Sequence, residues 1–202
     1  MIEHKEILLS YQWFCLKKTN MRRVILASKS PRRQELLKMI IDDFDIKTSN
    51  NPEKISKFLP LKKVPVSLAK QKALEVYKNN KDCVVIGADT VVIANNEILG
   101  KPKDKDDVRR MITMLSGNSH IVVTGVYIVC KEYKKSFSCV TTVNFRKMSE
   151  QEINDYCELD TIYDKAGAYA IQNEAKEFIT SIDGDYYNVV GFPVEEVKKH
   201  LK

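Results

Sequence analysis

"RVILASKSPRRQELL", Arg23 to Leu37, sets the fold class. Arg23–Ser28 opens with a β-branched apolar run of strand length. Ser30 then stands where a helix N-cap belongs, with Pro31 at the first helical position and apolar residues at helical spacing beyond it. The order is strand, tight turn, helix. A helix N-terminus offers unpaired N–H groups and partial positive charge. Ser28 and Ser30 add hydroxyls to it, and Arg32 and Arg33 add planar guanidinium forks that suit phosphate oxygens. The same residues also fit an ordinary capped helix with two surface arginines. No GxxxxGK[ST] loop is present, so this is not a P-loop.

Outward from that junction, 44–49 reads as a second strand and 50–65, rich in lysine and turn formers, as a loop or flap. A helix follows, with Leu68, Ala69, Ala73, Leu74, Val76 and Tyr77 on its apolar face. "DCVVIGADTVVIANNEILGKP" predicts a buried strand, an interruption at Gly87–Asp89, more strand, a turn at Asn95–Asn96 and a return strand. "DKDDVRRMITMLSGNS" predicts a helix ending near Gly117. Two long paired strands follow, joined through "KEYKK". A short helix then opens on a capping box from Ser149 to Glu152. "YDKAGAYAIQ" is glycine-broken, 177–193 reads as strand then tight loop, and a helix closes the chain. Alternating helices and strands predict an α/β fold, a mixed twisted β-sheet flanked by helices, with two lobes around a cleft. The expected division is an N-terminal extension, 1–20, and a single domain, 21–202. Met21, followed at once by a strand, would make an alternative start.

Composition narrows the classes. The chain has 202 residues, 44% hydrophobic and 30% charged, with a net charge of +6. That is enough for one real core; the scattered lysines read first as a solvated surface, and the modest positive charge also suits an anionic small ligand or, further off, nucleic acid. Five cysteines, an odd number with no CxxC spacing, read as reduced thiols of a cytoplasmic protein. His4, His120 and His200 lack zinc-ligand spacing. "ILLSYQWFCL" at 7–16 is too short to span a bilayer. No recognition helix, RNP pattern or zinc finger points to nucleic acid.

Asp89 is the sharpest polar signal. A carboxylate lodged between two apolar runs is costly to bury unless it is paired, metal-bound or used as a base. A turn aspartate bonding its own backbone is the structural alternative. Lys101 after the hairpin could reach a phosphate chain, and His120 could serve as acid or base or simply hold a loop. Glu53 in the flap, Asp164, Lys165, Gln172, Asp183, Asp185 and Asn188 are each weak alone.

Together the motifs resemble one family. "LASKSPRRQELL", "LAKQKA", "IGADTVV", "ILGKP", "MLSGNSH", "TGV", "DKAGAYAIQ" and "GDYYNVVGFP" resemble, in order and spacing, the Maf proteins from about residue 22 to the end. These are nucleoside triphosphate pyrophosphatases with an inosine-triphosphatase-like fold. The resemblance implies cleavage between the α and β phosphates, with a divalent cation, Mg²⁺ or Mn²⁺. By position it implies that Ser28, Ser30, Arg32 and Arg33 hold the triphosphate and that Glu53, Lys72, Asp89, Lys101 and Gln172 complete the site. Asp89 would be base, metal ligand or both, with Glu53 sharing the metal. "SNNP" replaces the usual Asp-rich run before Glu53, and Asp185 stands where many relatives have serine. "GADT" resembles the branch acting on dTTP and UTP, whereas the 7-methyl-GTP branch has an "SDQ"-like motif, so Thr90 points to pyrimidines. The resemblance further implies nucleotide-pool cleaning, an association with division arrest, and a homodimer. The competing class is a nucleotide-binding regulatory module without turnover.

Overall fold

The computed structural model describes residues 22–201; the extension 1–20 lies outside the described residues. Its strands are β1 (Val24–Leu26), β2 (Asp45–Ile46), β3 (Val84–Ala94), β4 (Glu97–Leu99), β5 (Ser119–Val129), β6 (Lys134–Phe145) and β7 (Ile179–Asp183). Its helices are α1 (Pro31–Lys38), α2 (Val64–Lys78), α3 (Lys105–Leu115), α4 (Glu150–Cys157), α5 (Tyr186–Val190) and α6 (Val194–His200).

The strands form one seven-stranded mixed sheet ordered β2-β1-β3-β5-β6-β7, with β4 also on β3. β2, β1 and β3 run parallel; β3 to β7 pair antiparallel through β5 and β6. β3 organises the whole. One edge is zipped to β5 from Val85 to Ile93. The other edge is shared: β1 takes Val84–Ile86 and β4 takes Val92–Ala94. Between them the edge at 87–91 has no strand beside it, and this gap positions the site.

Alternation along β3 sorts its side chains onto two faces. Val85, Val91 and Ile93 pack under α2 with Ala69, Ala73, Leu68 and Val123. Ile86 and Ala88 pack on the other face beneath α1 and α6 with Leu37, Val197 and Phe192, and Val92 packs there with Leu115 and Ile112 of α3. Burial on both faces explains the near-continuous apolar run of this strand.

Local signals account for several elements. Asn95 and Asn96 both have positive φ, 47° and 59°, as a two-residue hairpin turn requires. Asp104 caps α3 by accepting the Asp107 N–H at 2.8 Å. The Ser149–Glu152 capping box is complete in both directions.

Four expectations change. β3 is continuous through Gly87–Asp89, not interrupted; glycine and aspartate there serve a close helix and a cleft rather than a break. The 44–49 strand shortens to Asp45–Ile46, because β1 offers a partner only that far. The tight loop after β7 contains α5, capped by Asp185, whose side chain accepts the Tyr187 N–H at 2.7 Å. Ser30 occupies the N-cap position of α1 without a capping bond from its side chain; instead Ser28 Oγ accepts the Ser30 N–H at 3.3 Å.

Candidate active site

A cleft of about 720 Å³ opens at the gap in the β3 edge. That size suits a nucleotide-scale ligand, within the range of roughly 300–1,000 Å³ common for small-molecule sites. All ten residues that the family resemblance points to line it: Ser28, Ser30, Arg32, Arg33, Glu53, Lys72, Asp89, Thr90, Lys101 and Gln172; the candidates His120, Asp183, Asp185 and Asn188 do not. The ten come from six separate stretches, brought together by the fold.

Asp89 and Thr90 are neighbours on β3, so they point to opposite faces. Asp89 lies on the α2 face, where Lys72 Nζ meets its Oδ1 at 2.5 Å. Both side chains are mostly buried, 13% and 17% exposed. The same ammonium reaches Glu53 Oε1 at 2.9 Å. Burial pushes the Asp89 carboxyl above the usual aspartate range, and the charges of Lys72 and Arg33 pull it back down.

Two glycines permit this arrangement. A Cβ on Gly125, the β5 partner of Asp89, would lie 2.2 Å from Val66 N. One on Gly87 would lie 2.2 Å from Ala69 O. Backbone of α2 therefore rests directly on the sheet, which carries Lys72 to Asp89.

On the opposite face Thr90 meets α1. Arg33 is fully engaged: Nε donates to Gly191 O at 3.0 Å, Nη1 to Ser28 Oγ at 3.3 Å and Nη2 to Thr90 Oγ1 at 3.0 Å. Thr90 Oγ1 lies 3.0 Å from Thr124 Oγ1, whose hydroxyl donates to Asn188 O at 2.8 Å. Burial lowers the Arg33 pKa, and the nearby Asp89 charge opposes that shift. Arg32 is freer, with Nη1 3.4 Å from Asp164 Oδ2 across the cleft. Lys101 and Gln172 are exposed on the rim, and neither makes a hydrogen bond or ion pair among the described residues.

The carboxylates of Asp89 and Glu53 converge on one point, the Lys72 ammonium. Two hard oxygen donors around a cationic position suit Mg²⁺ or Mn²⁺, which commonly bind through one or two carboxylates with phosphate oxygens and water completing the shell. Among the described residues no cluster of three or more His, Cys, Asp or Glu forms a closed metal cage.

Other residues resolve differently. His120 is buried and shares a 2.7 Å hydrogen bond with the Tyr169 hydroxyl. Asn188 is buried and satisfied, its Nδ2 donating to Val122 O and Thr141 Oγ1 and its Oδ1 accepting the Thr124 N–H. Both hold structure. Asp164 and Lys165, weak signals in the sequence, also line the cleft and pair at 2.6 Å. Their signal was their place in "DKAGAYAIQ".

Fold and site thus define an α/β protein with a cationic, carboxylate-bearing cleft at a split sheet edge. The family model for Maf-like proteins matches residues 23–202, and the chain belongs to that family. Relatives named dTTP/UTP pyrophosphatase include one from Bacillus cereus and one from Bacillus anthracis. Each is 43% identical over 182 residues, 90% of this chain and 95% of the relative. A solved structure of the Staphylococcus aureus Ham1 protein overlaps more distantly, at 12% identity and TM-score 0.47 over 61% of this chain and 72% of that one.

Proposed function

We propose that this chain hydrolyses dTTP and UTP, and modified pyrimidine relatives, to the monophosphate and pyrophosphate. The carrying observation is the cleft itself: a mostly buried carboxylate, Asp89, held by Lys72 and faced by a helix N-terminus bearing Arg32 and Arg33. The names of relatives that match nearly end to end support the reaction and the base class.

In this reading the triphosphate lies against the N-terminus of α1. The first-turn N–H groups, the Ser30 hydroxyl and Arg32 receive the outer phosphates. Arg33 is preorganised by three bonds to the protein, so it costs no reorientation when charge develops. A water oxygen bonds to the α phosphorus as the bond to the α–β bridging oxygen breaks. Asp89 accepts the water proton. Pyrophosphate leaves with the bridging oxygen, its charge met by Arg32, Lys101 and the helix terminus. A divalent cation, Mg²⁺ or Mn²⁺, would be held by Asp89 and Glu53 and would supply charge neutralisation and a more acidic water. Thr90 and Gln172 are assigned to recognition, Thr90 acting through the guanidinium it holds. Nucleotide-pool cleaning and a homodimer belong to the same reading and rest on the family resemblance; a cytoplasmic setting rests on the odd-numbered cysteine pattern without CxxC spacing. Among the described residues no helix is long and apolar enough to cross a membrane.

The test is a panel of NTPs and dNTPs, with 5-methyl-UTP and 7-methyl-GTP, incubated with Mg²⁺ or Mn²⁺. Pyrophosphate and orthophosphate are counted separately. Monophosphate plus pyrophosphate from dTTP or UTP is expected. Binding without turnover would favour the regulatory module, and orthophosphate release would overturn the bond assignment.

A further inference from the structure

Glu53 sits on a segment without regular secondary structure, yet that segment is not loose. From Lys47 to Lys54 it runs antiparallel along α2, and side chains of the helix take up its polar groups. Lys47 Nζ donates to Asn80 Oδ1 at 2.6 Å, just past the helix end. The Glu75 carboxylate accepts the Ser49 hydroxyl, and its Oε1 accepts the N–H groups of Asn50 at 3.1 Å and Asn51 at 3.3 Å. Gln71 then clamps a whole backbone unit: the Lys54 N–H donates to its Oε1 at 3.0 Å, and its Nε2 donates to Lys54 O at 2.8 Å. Ser67 Oγ lies 3.5 Å from the same Nε2.

Ser67, Gln71 and Glu75 are spaced i, i+4, i+8, so they form one stripe on α2. Leu68, Ala69, Ala73 and Val76 form the buried stripe beside it. Lys72, on the sheet-facing side of the same helix, reaches Glu53 Oε1 at 2.9 Å. A segment with no ladder of its own must satisfy its backbone elsewhere, and here one helix face does so at matched spacing.

We propose that Gln71 is a positioning residue for Glu53, with Glu75 as the second anchor of the same seam. Fixing both backbone groups of Lys54 fixes the residue before it, which sets the Glu53 carboxylate against Lys72 and beside Asp89. The clamp stands on the geometry alone; its consequence for turnover rests on the pyrophosphatase reading.

The experiment is a double-mutant cycle on pyrophosphate release from dTTP, paired with amide exchange measured by NMR. Gln71→Ala is expected to lower kcat about tenfold in the wild-type background and less than about twofold in Glu53→Ala, because its effect passes through Glu53. The Lys54 amide should exchange at least about tenfold faster in Gln71→Ala, and the Asn50 and Asn51 amides faster in Glu75→Ala. Gln71→Glu keeps the acceptor for the Lys54 N–H and should restore most of that protection, which also covers the case where Gln71→Ala folds poorly. An equal kcat loss in both backgrounds, or unchanged exchange at Lys54, would overturn the proposal. If the wild type releases no pyrophosphate, the function reading fails and exchange alone decides the clamp.

Discussion

Replacing Asp89 by asparagine removes a charge while keeping the shape. The amide oxygen can still accept from Lys72, which also keeps Glu53 as partner. Losing the charge assistance of one hydrogen bond costs about 1–2 kcal/mol. Against that, the mostly buried carboxylate no longer has to be desolvated, the largest influence on its pKa. The two effects oppose each other, so the net stability change stays within about 1 kcal/mol, or roughly 2–4 °C in Tm for a chain of this size. Turnover behaves otherwise. Loss of the general base should lower kcat by about 10²–10⁴-fold. Binding of a non-hydrolysable triphosphate should change less than about tenfold, since Arg32, Arg33 and Lys101 remain. Titration adds a sign. Burial raises the Asp89 pKa in the metal-free protein, so NMR titration without metal should show a carboxyl above the ordinary aspartate range that is missing in Asp89→Asn and moves down when Mg²⁺ is added. The assay is pyrophosphate release with calorimetric binding and a thermal melt on one preparation. A kcat within about threefold of wild type, or kcat and affinity falling together, would remove Asp89 from the proton-transfer role.

Arg32→Ala should raise KM for triphosphates several-fold while leaving Tm unchanged, because its contact with Asp164 is a long, solvent-facing pair; equal weakening of monophosphate inhibition would show that it does not read the outer phosphates. Gly125→Ala should lift α2 off the sheet, costing about 1–3 kcal/mol in a denaturant melt and lowering kcat through the displaced Lys72, since the new Cβ meets backbone. His120 is pushed down to about 4 by burial. A histidine with a lowered folded pKa gives stability that is complete above its ordinary pKa and is lost as pH falls toward 4. The slope of Tm over that window should flatten in His120→Asn. Deleting residues 1–20 should leave pyrophosphate release unchanged.

The sequence by itself determined whatever depends on neighbours in the chain. The strand–turn–helix of 23–37, the Asn95–Asn96 hairpin, the Ser149 capping box and the buried stripe of α2 are local, and their residue types state them directly. The family resemblance of the motifs points to the ten cleft residues; residue chemistry alone singles out Asp89, leaves the Ser/Arg-rich helix start open between a cap and an anion site, and gives only weak signals at Glu53, Lys101 and Gln172. Only the tertiary structure decided how these pieces combine. It split one edge of β3 between β1 and β4 and so opened the cleft at Asp89 without breaking the strand. It turned Arg33 into a fixed group by bonds to Gly191 and Thr90, 158 and 57 residues away. It made the polar stripe of α2 a seam for the Glu53 segment rather than a solvated face. Periodicity reports whether a side chain is buried, one segment at a time. Which edge is left unpaired, and which polar groups satisfy each other across it, is a property of segments meeting, and no single segment carries it.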